Sequence, residues 1–314
     1  MRTAVFGAGG IGGYLGGRLA ESGEELVVIA RGAHQESIEK QGLKIDSING
    51  DIVVNPQIVT NDPYKAGKVD IIILGVKAWQ VAEAAKAMLP MMTSDTIVIT
   101  VQNGVLAPIE LAEHVGANHV VIGLCMLRSF IVGPGHLKHS MDVYPNVQFG
   151  EIDGSQSERI MELKNIFEGV GLSVVLPKDI NVALWEKFLV FSVASAMGAL
   201  TRSTTGVWRS MTETRKMAET LVTEIVSVGK SRGIDLSDQT IIDTMLLLDT
   251  WDHNHTTSMA KDMMEGRPSE LDAAIGNIVK LGIEKDVDVS LNNLIYNTLL
   301  LQENQARQRT TARK

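Results

Sequence analysis

The chain has 314 residues, which is more than a single hydrophobic core usually organises, so we expect two domains. Its 45% hydrophobic and 21% charged residues exclude a wholly disordered or fibrous chain. The net charge of −8 argues against a nucleic-acid binder, although a few local cations can still hold one phosphate or carboxylate. Cys125 is the only cysteine, which excludes an internal disulfide and a cysteine-based metal cluster. With no apolar signal core at the N-terminus and the longest apolar stretch, 188–200, too short to span a bilayer, the sequence predicts a cytoplasmic protein without a membrane span.

The first half alternates buried-strand and amphipathic-helix patterns, which is typical of a doubly wound α/β domain. The predicted strands are at 3–6, 26–30, 70–76, 96–101 and 120–125, a pair within 128–139 around a turn at 132–135, and then 147–149 and 173–176. The predicted helices are at 11–22, 79–89 and 157–170.

After Pro177 the pattern is helical only, and no convincing strand follows. The predicted helices are at 182–200, 213–232, 238–248, 269–281 and 292–307. The sequence therefore predicts an α/β domain over residues 1–177 and an all-helical domain over residues 178–314.

A glycine-rich segment between the first strand and the first helix fits the dinucleotide-binding pattern G-x-G-x-x-G. Its residues are Gly7, Ala8, Gly9, Gly10, Ile11 and Gly12. Gly7 permits a tight turn, Gly9 lets the backbone approach a pyrophosphate, and Gly12 lets helix and strand pack closely. Free N–H groups at the helix N-terminus then face the phosphates. The alternative is a glycine turn that only packs, but the flanking strand, helix and strand favour a Rossmann-type domain with a mostly parallel sheet.

Arg31 follows the second strand, where NAD-binding domains usually carry an acidic residue for the ribose hydroxyls. No carboxylate occurs here until Glu36. A planar guanidinium matches the additional phosphate of NADP, which a carboxylate would repel. The sequence therefore predicts NADPH/NADP as cofactor with Arg31 as the phosphate partner, the alternative being that Arg31 is a solvated loop charge.

Two loops follow strands of the parallel set at their carboxyl ends, where open α/β sheets bind ligands. They are KAWQ at 77–80 and QNGV at 102–105, and we expect both to line the cofactor crevice. Lys187 lies beside an otherwise apolar face of the first helix after the predicted boundary. It is either a lysine that extends its ammonium to solvent or a buried functional amine.

Together these motifs resemble the ketopantoate reductases (2-dehydropantoate 2-reductases) in order and spacing, over nearly the whole chain. The matching positions are the glycine motif at 7–12, KAWQ at 77–80, NG at 103–104, PG at 134–135, LWEK at 184–187, Ser258 and Glu270. The resemblance implies an N-terminal Rossmann domain that binds NADP, a helical domain for substrate and catalysis, and NADPH-dependent reduction of an α-keto acid in pantothenate biosynthesis.

The resemblance also implies roles for single residues. Lys187 looks like the general acid, and Glu270 like the acidic residue that engages the substrate or the catalytic network. Ser258 is similar to the serine that contacts the substrate carboxylate. Asn103 looks like the asparagine near the nicotinamide, and Lys77 like the lysine that lines the cofactor pocket.

Two positions depart from the family pattern. Four and eight residues after Lys187 the family usually has asparagines, which hold the substrate, whereas this chain has Phe191 and Ser195. The spacing places all three on one helix face. Because an aromatic ring cannot replace the hydrogen bonds of an amide, either the pocket accepts a more apolar α-keto acid or Phe191 packs in the core and the substrate is held elsewhere. The resemblance again assigns the cofactor phosphate to Arg31.

The sequence thus predicts an oxidoreductase that reduces ketopantoate or a closely related α-keto acid to the 2-hydroxy acid. Two alternatives remain: another NADP-dependent hydroxyacid or opine-type dehydrogenase, or an NADP(H)-binding sensor without turnover. No metal is expected, since His253 and His255 point apart on a helix and no third ligand is evident. No nucleic-acid or membrane partner is expected. A homodimer and an internal core explain the long apolar helices equally well.

Overall fold

The computed structural model describes residues 1–311, which form two compact units. The first contains residues 1–102 and 107–180, and the second contains 103–106 together with the chain from 181 onward. The chain leaves the first unit after Ile180, three residues beyond the predicted boundary, and also for the short loop Asn103–Leu106. The functions assigned to the two domains stay predictions.

The first unit is built on a ten-stranded sheet. Its strands are β1 (Arg2–Phe6), β2 (Glu25–Ile29), β3 (Leu43–Ser47), β4 (Ile52–Val54), β5 (Ile58–Thr60), β6 (Ile71–Leu74), β7 (Ile97–Thr100), β8 (Val120–Gly133), β9 (His136–Glu151) and β10 (Val174–Val175). They lie in the order β4-β3-β9-β8-β7-β6-β1-β2-β5, and β10 pairs with β9. The pairs β3–β4 and β8–β9 are antiparallel, and the other pairs are parallel. The predicted Rossmann-type, mostly parallel sheet is confirmed.

Helices cover both faces of this sheet. They are α1 (Gly10–Glu21), α2 (Gly32–Gln41), α3 (Val81–Met88), α4 (Ala107–Val115) and α5 (Glu158–Gly169). Along β1, Val5 packs in the core that contains residues of α1 and α5, whereas Ala4 and Phe6 pack in the core that contains residues of α3 and α4. Burial on both faces explains why the central strands are almost wholly apolar.

Several parts of the predicted first domain were wrong in detail. The predicted strand 120–125 and the first of the two strands predicted within 128–139 form one continuous strand, β8, because irregular pairing after Cys125 and Arg128 interrupts the alternation without ending the ladder. The segment 32–60 was assigned no structure, but it contains α2 and β3 to β5. Of the α2 residues only Ile38 is buried, and β4 and β5 have three residues each, so their patterns were too weak to detect.

The second unit is helical, and residues 181–311 contain no strand. Its helices are α6 (Ile180–Thr201), α7 (Thr205–Ser210), α8 (Thr212–Ser231), α9 (Asp238–Thr250), α10 (Ser258–Met264), α11 (Asn277–Glu284) and α12 (Ser290–Thr311). A π-helical turn, Asp272–Gly276, leads into α11. The predicted all-helical fold is confirmed, although α7 and α10, of six and seven residues, were not predicted.

Helix α6 is longer than predicted, with 22 residues from Ile180 to Thr201. It is apolar and long enough to cross a membrane by length and composition, but 72% of its most apolar segment is buried inside the protein. That burial is typical of a core helix.

Candidate active site

The glycine-rich turn connects β1 to α1 by close backbone packing. Gly7 has φ +95°, a conformation that favours glycine, and its N–H donates to the Ile29 carbonyl at 3.0 Å. A Cβ on Gly12 would lie 2.8 Å from the Gly7 carbonyl oxygen and 3.0 Å from Gly75 Cα. The structure therefore assigns Gly7 and Gly12 to the tight turn and the helix–strand contact.

Gly9 and Gly10 differ from each other in their surroundings. A Cβ on Gly10 would collide with the Ser129 carbonyl oxygen in β8, so Gly10 is needed for packing. A Cβ on Gly9 would meet only the Gly75 carbonyl oxygen among the described residues, at 3.6 Å, which is an ordinary contact. The protein's own packing does not require glycine at position 9, whereas a pyrophosphate on the helix N-terminus does.

Gln102, two residues after the end of β7, carries a buried polar atom that has no partner among the described residues. Its amide nitrogen donates to the Val76 carbonyl at 3.1 Å and to the Leu74 carbonyl, which holds the end of β6 beside the glycine turn. Its Oε1 atom is buried and accepts no hydrogen bond from the described residues. A buried acceptor without a donor is costly, so a ligand N–H is the expected partner. The space at Gly9 and this acceptor both fit a dinucleotide. The sequence drew attention to the loop but not to Gln102.

Arg31 follows β2, as predicted, and directly precedes α2. Its guanidinium lies 3.1 Å from the carboxylate of Glu83 in α3, and each side chain is 68% exposed. An ion pair so exposed contributes little to stability, so it leaves the guanidinium available to another anion.

Lys77 begins the 3₁₀ turn Ala78–Gln80 after β6. Its side chain is half-buried, and the ammonium lies 6.0 Å from the centre of the Trp79 ring, at the limit of a cation–π contact. The backbone N–H of Lys77 donates to Gln80 Oε1 at 3.3 Å. The glycine turn, Arg31, Lys77 and Gln102 all belong to the first unit.

His34 in α2 is a further residue at the glycine turn, and nothing in the sequence indicated it. Its Nδ1 accepts the Gly135 N–H at 3.0 Å, and its Nε2 lies 2.8 Å from the Ala8 carbonyl oxygen. Because Nδ1 accepts, Nε2 carries the hydrogen and donates to Ala8, which fixes the neutral tautomer. His34 thus holds the turn against the hairpin of β8 and β9.

In the second unit, α6 carries three of the predicted residues on one face. Lys187 and Phe191 are half-buried, and Ser195 is fully buried. The Ser195 hydroxyl donates to Thr257 Oγ1 at 2.9 Å, and Thr257 accepts the N–H of Ala260 as the cap of α10. The hydrogen bond that the structure shows for Ser195 is therefore made within the protein. Its contact with substrate stays a prediction.

Ser258 follows Thr257 as the first residue of α10, and its side chain is exposed. The hydrogen bond between Ser195 and Thr257 thus brings two predicted substrate positions, 195 and 258, into one neighbourhood.

Glu270 is 5% exposed and lies directly before Leu271 and the π-helical turn. The loop of Asn103 packs on the same turn: Gly104 has φ +107°, and a Cβ there would lie 3.2 Å from the Ala273 carbonyl oxygen. The second unit therefore brings the Asn103 loop beside the segment of Glu270. π-helical turns are rare and frequent at functional sites.

The residues thus form two sets, one in each unit. The first has the groups that a dinucleotide requires, and the second combines an amine, a buried carboxylate and an amide, which suit proton transfer and the binding of a polar substrate. No cluster of three or more His, Cys, Asp or Glu suited to a metal occurs within residues 1–311.

Comparison with known proteins identifies the family. Residues 3–154 match the family model described as ketopantoate reductase PanE/ApbA, and residues 179–303 match the model for its C terminal. A 2-dehydropantoate 2-reductase from Nostoc sp. is 29% identical over 303 residues, covering 95% of this chain and 94% of that protein.

Solved structures are also similar to this protein in fold. A PanE/ApbA family ketopantoate reductase from Ralstonia eutropha has a TM-score of 0.89 at 26% identity, covering 98% of this chain and 100% of that chain. A ternary structure of D-mandelate dehydrogenase with NADH and anilino(oxo)acetate also has a TM-score of 0.89, at 22% identity and with 98% and 99% covered, which shows likeness of fold alone. With both halves of the chain matched by the family models, this protein belongs to the ketopantoate reductase family and is an oxidoreductase with an NAD(P)-dependent dehydrogenase fold.

Proposed function

We propose that the protein reduces an α-keto acid, ketopantoate or a close analogue, to the 2-hydroxy acid with NADPH. The observation that carries this proposal is that the chain matches the family along both units and retains Lys187 and Glu270. A sensor without turnover has no need of these two residues.

Lys187 is the proposed proton donor. When bound, the reduced nicotinamide supplies the hydride that adds to the keto carbon. Negative charge then develops on the keto oxygen, where the ammonium of Lys187 stabilises it and transfers a proton from Nζ. One hydride and one proton thus reduce the C=O bond to CH–OH. Glu270 engages the substrate or Lys187, and Ser258 binds the substrate carboxylate.

Arg31 is the proposed determinant of NADPH use. It supplies a guanidinium at the end of β2, where the chain has no acidic residue. Glu83 neutralises this charge and would be displaced by the phosphate. The amides of the glycine turn bind the pyrophosphate. Lys77 lines the cofactor pocket, and Asn103 contacts the nicotinamide.

The substrate is proposed to be less polar than ketopantoate at the position that Phe191 faces. A family asparagine would hold a hydroxyl there, whereas a half-buried phenyl ring favours a hydrocarbon group. Ketopantoate and analogues without its hydroxyl should therefore be compared directly.

The purified protein should be mixed with NADPH and a panel of α-keto acids, and the nicotinamide absorbance followed. We expect oxidation of NADPH with at least one of them, and no oxidation with any would refute the proposal. Lys187→Ala should abolish turnover while NADPH still binds. Lys230→Ala is the matched control, since that lysine pairs with Asp238 at 2.6 Å at the surface of the same unit and should leave turnover unchanged. Equal losses in the two variants would remove Lys187 from the mechanism.

A further inference from the structure

The backbone just before Glu270 is held by a buried carboxylate from the last helix. Both oxygens of Glu303, in α12, accept the N–H of Ser269 at 3.0 Å, and one of them also accepts the Ser269 hydroxyl at 2.6 Å. Ser269 is fully buried and Glu303 is 2% exposed. Neither sequence pattern nor resemblance indicated this pair.

Arg307, one turn further along α12, completes the arrangement. Its Nε lies 2.7 Å from Glu303, and its terminal nitrogen donates to the Ser269 carbonyl at 3.1 Å. The N–H, the hydroxyl and the carbonyl of Ser269 are therefore all bound by two side chains of one helix. Both peptide planes that flank this residue are fixed, including the one that leads into Glu270.

The same helix holds the chain on the other side of Glu270. The hydroxyl of Tyr296 donates to Asp272 Oδ1 at 2.7 Å, at the start of the π-helical turn. Burial and this hydrogen bond raise the pKa of Tyr296 to about 12. The ring also lies against Gly276, where a Cβ would be 2.8 Å from Tyr296 Cε2. Helix α12 thus contacts this segment on both sides of Glu270, at Ser269 before it and at Asp272 and Gly276 after it.

A buried carboxylate is expensive to desolvate, and hydrophobic residues of similar size often stabilise a protein as well or better. Here the Glu303 carboxylate binds the peptide N–H of Ser269, the residue directly before the candidate site residue Glu270. We propose that Glu303 is a positioning residue that, through Ser269, sets the direction of the Glu270 carboxylate. This inference rests on the proposed function for the role of Glu270, and it extends the site to a helix that provides none of its predicted residues.

Glu303→Gln tests the proposal with little change in shape. The amide keeps one acceptor oxygen but loses the charge that binds the Ser269 N–H, its hydroxyl and Arg307. We expect kcat for the keto acid to fall about 10- to 100-fold, as small misplacements of catalytic groups do, while the KM for NADPH stays within about twofold. In a Glu270→Ala background, the same change should cause no further loss of kcat beyond about twofold.

Glu224→Gln is the matched control. Glu224 in α8 likewise binds backbone N–H groups, those of Leu291 and Asn292 at 2.9 Å each, but at the opposite end of α12. The variant Glu224→Gln should lower the melting temperature and leave kcat unchanged. If Glu303→Gln lowers kcat by the same factor with and without Glu270, or only as much as Glu224→Gln does, Glu303 supports the fold alone and the proposal is overturned.

Hydrogen exchange gives a readout that needs no turnover. In Glu303→Gln, the amide of Ser269 should exchange faster, at least tenfold, while amides of α8 keep their protection. Unchanged exchange at Ser269 overturns the proposal even if the enzyme is active. Absence of keto-acid reduction by the unmodified protein would instead refute the proposed function, and the exchange rates would still decide whether Glu303 fixes this segment.

Discussion

Replacing Gly9 with alanine should separate cofactor binding from folding. Gly9 has φ −72° and ψ −171°, which alanine adopts readily, and its new Cβ would meet only the Gly75 oxygen among the described residues, at 3.6 Å. In Gly10→Ala the new Cβ would be forced into the backbone of Ser129 and Phe130. The two neighbouring variants therefore carry the same added methyl group, which clashes with the protein in only one of them.

The magnitudes follow from these contacts. Gly9→Ala should change the free energy of unfolding by less than about 1 kcal/mol, because no atom must move. Gly10→Ala should cost about 1–3 kcal/mol or more through overpacking, which lowers the melting temperature by roughly 2–12 °C. If the Gly9 methyl blocks one or more charge-assisted hydrogen bonds to the pyrophosphate, at about 1.5–3 kcal/mol each, NADPH affinity falls about 10-fold to 100-fold or more.

The assay combines NADPH titration by fluorescence with thermal unfolding of the cofactor-free variants. Weaker binding with a preserved melting temperature is expected for Gly9→Ala only. Unchanged NADPH affinity in Gly9→Ala would refute the assignment of the pyrophosphate to this turn. A melting temperature that falls as far as in Gly10→Ala would show that glycine is there for packing.

Three further substitutions test single contacts. Glu83→Gln should tighten NADPH binding up to about fivefold, because the exposed ion pair with Glu83, worth about 0.2–1 kcal/mol, no longer competes for Arg31. Titration with NADH should show no gain in affinity. Equal gains for the two cofactors would contradict the role of Arg31 in binding the NADPH phosphate. Phe191→Asn should raise kcat/KM for ketopantoate about 2- to 10-fold relative to an apolar keto acid, the value of one added hydrogen bond, and no rise would show that this ring does not limit the substrate. Ser195→Ala should cost about 0.5–1.5 kcal/mol in thermal unfolding through loss of the hydrogen bond to Thr257. It should also raise the KM for the keto acid if the predicted substrate contact is made, and an unchanged KM would show that Ser195 serves the fold alone.

The fold was predictable wherever burial left a strong periodic pattern. The central strands β1, β2, β6 and β7 are almost wholly apolar, and the long helix α8 buries residues at 3.6-residue spacing over most of its length. Helix α2 was not predicted because only one of its residues, Ile38, is buried. Strands β4 and β5 were not predicted because three residues are too few to show a period. Short helices such as α7 are held by tertiary contacts, including Arg209 bonds to the Leu248 and Trp251 carbonyls. Such contacts join distant parts of the chain and leave no local pattern.

The residues of the candidate site divide in the same way. The glycine motif and Arg31 carry local chemistry that a sequence displays. The polar residues that the structure adds, Gln102, His34 and Glu303, act on backbone carbonyls or amides far away in the chain. A side chain that binds backbone can pair with any residue type, so its partner cannot be inferred from composition or spacing.

The helical unit is assembled from two separate pieces of chain, and this affects how such proteins can be recombined. Residues 103–106 belong to it although they lie in the middle of the sequence of the other unit, and Gly104 rests on Ala273. A chimera that exchanges only the chain after residue 180 for that of a relative would bring in a foreign surface beneath this loop. A chimera that carries 103–106 along with the helices would preserve the contact. The four residues and the C-terminal helices are thus one module for engineering, and a substitution in one piece should be matched by a compensating substitution in the other.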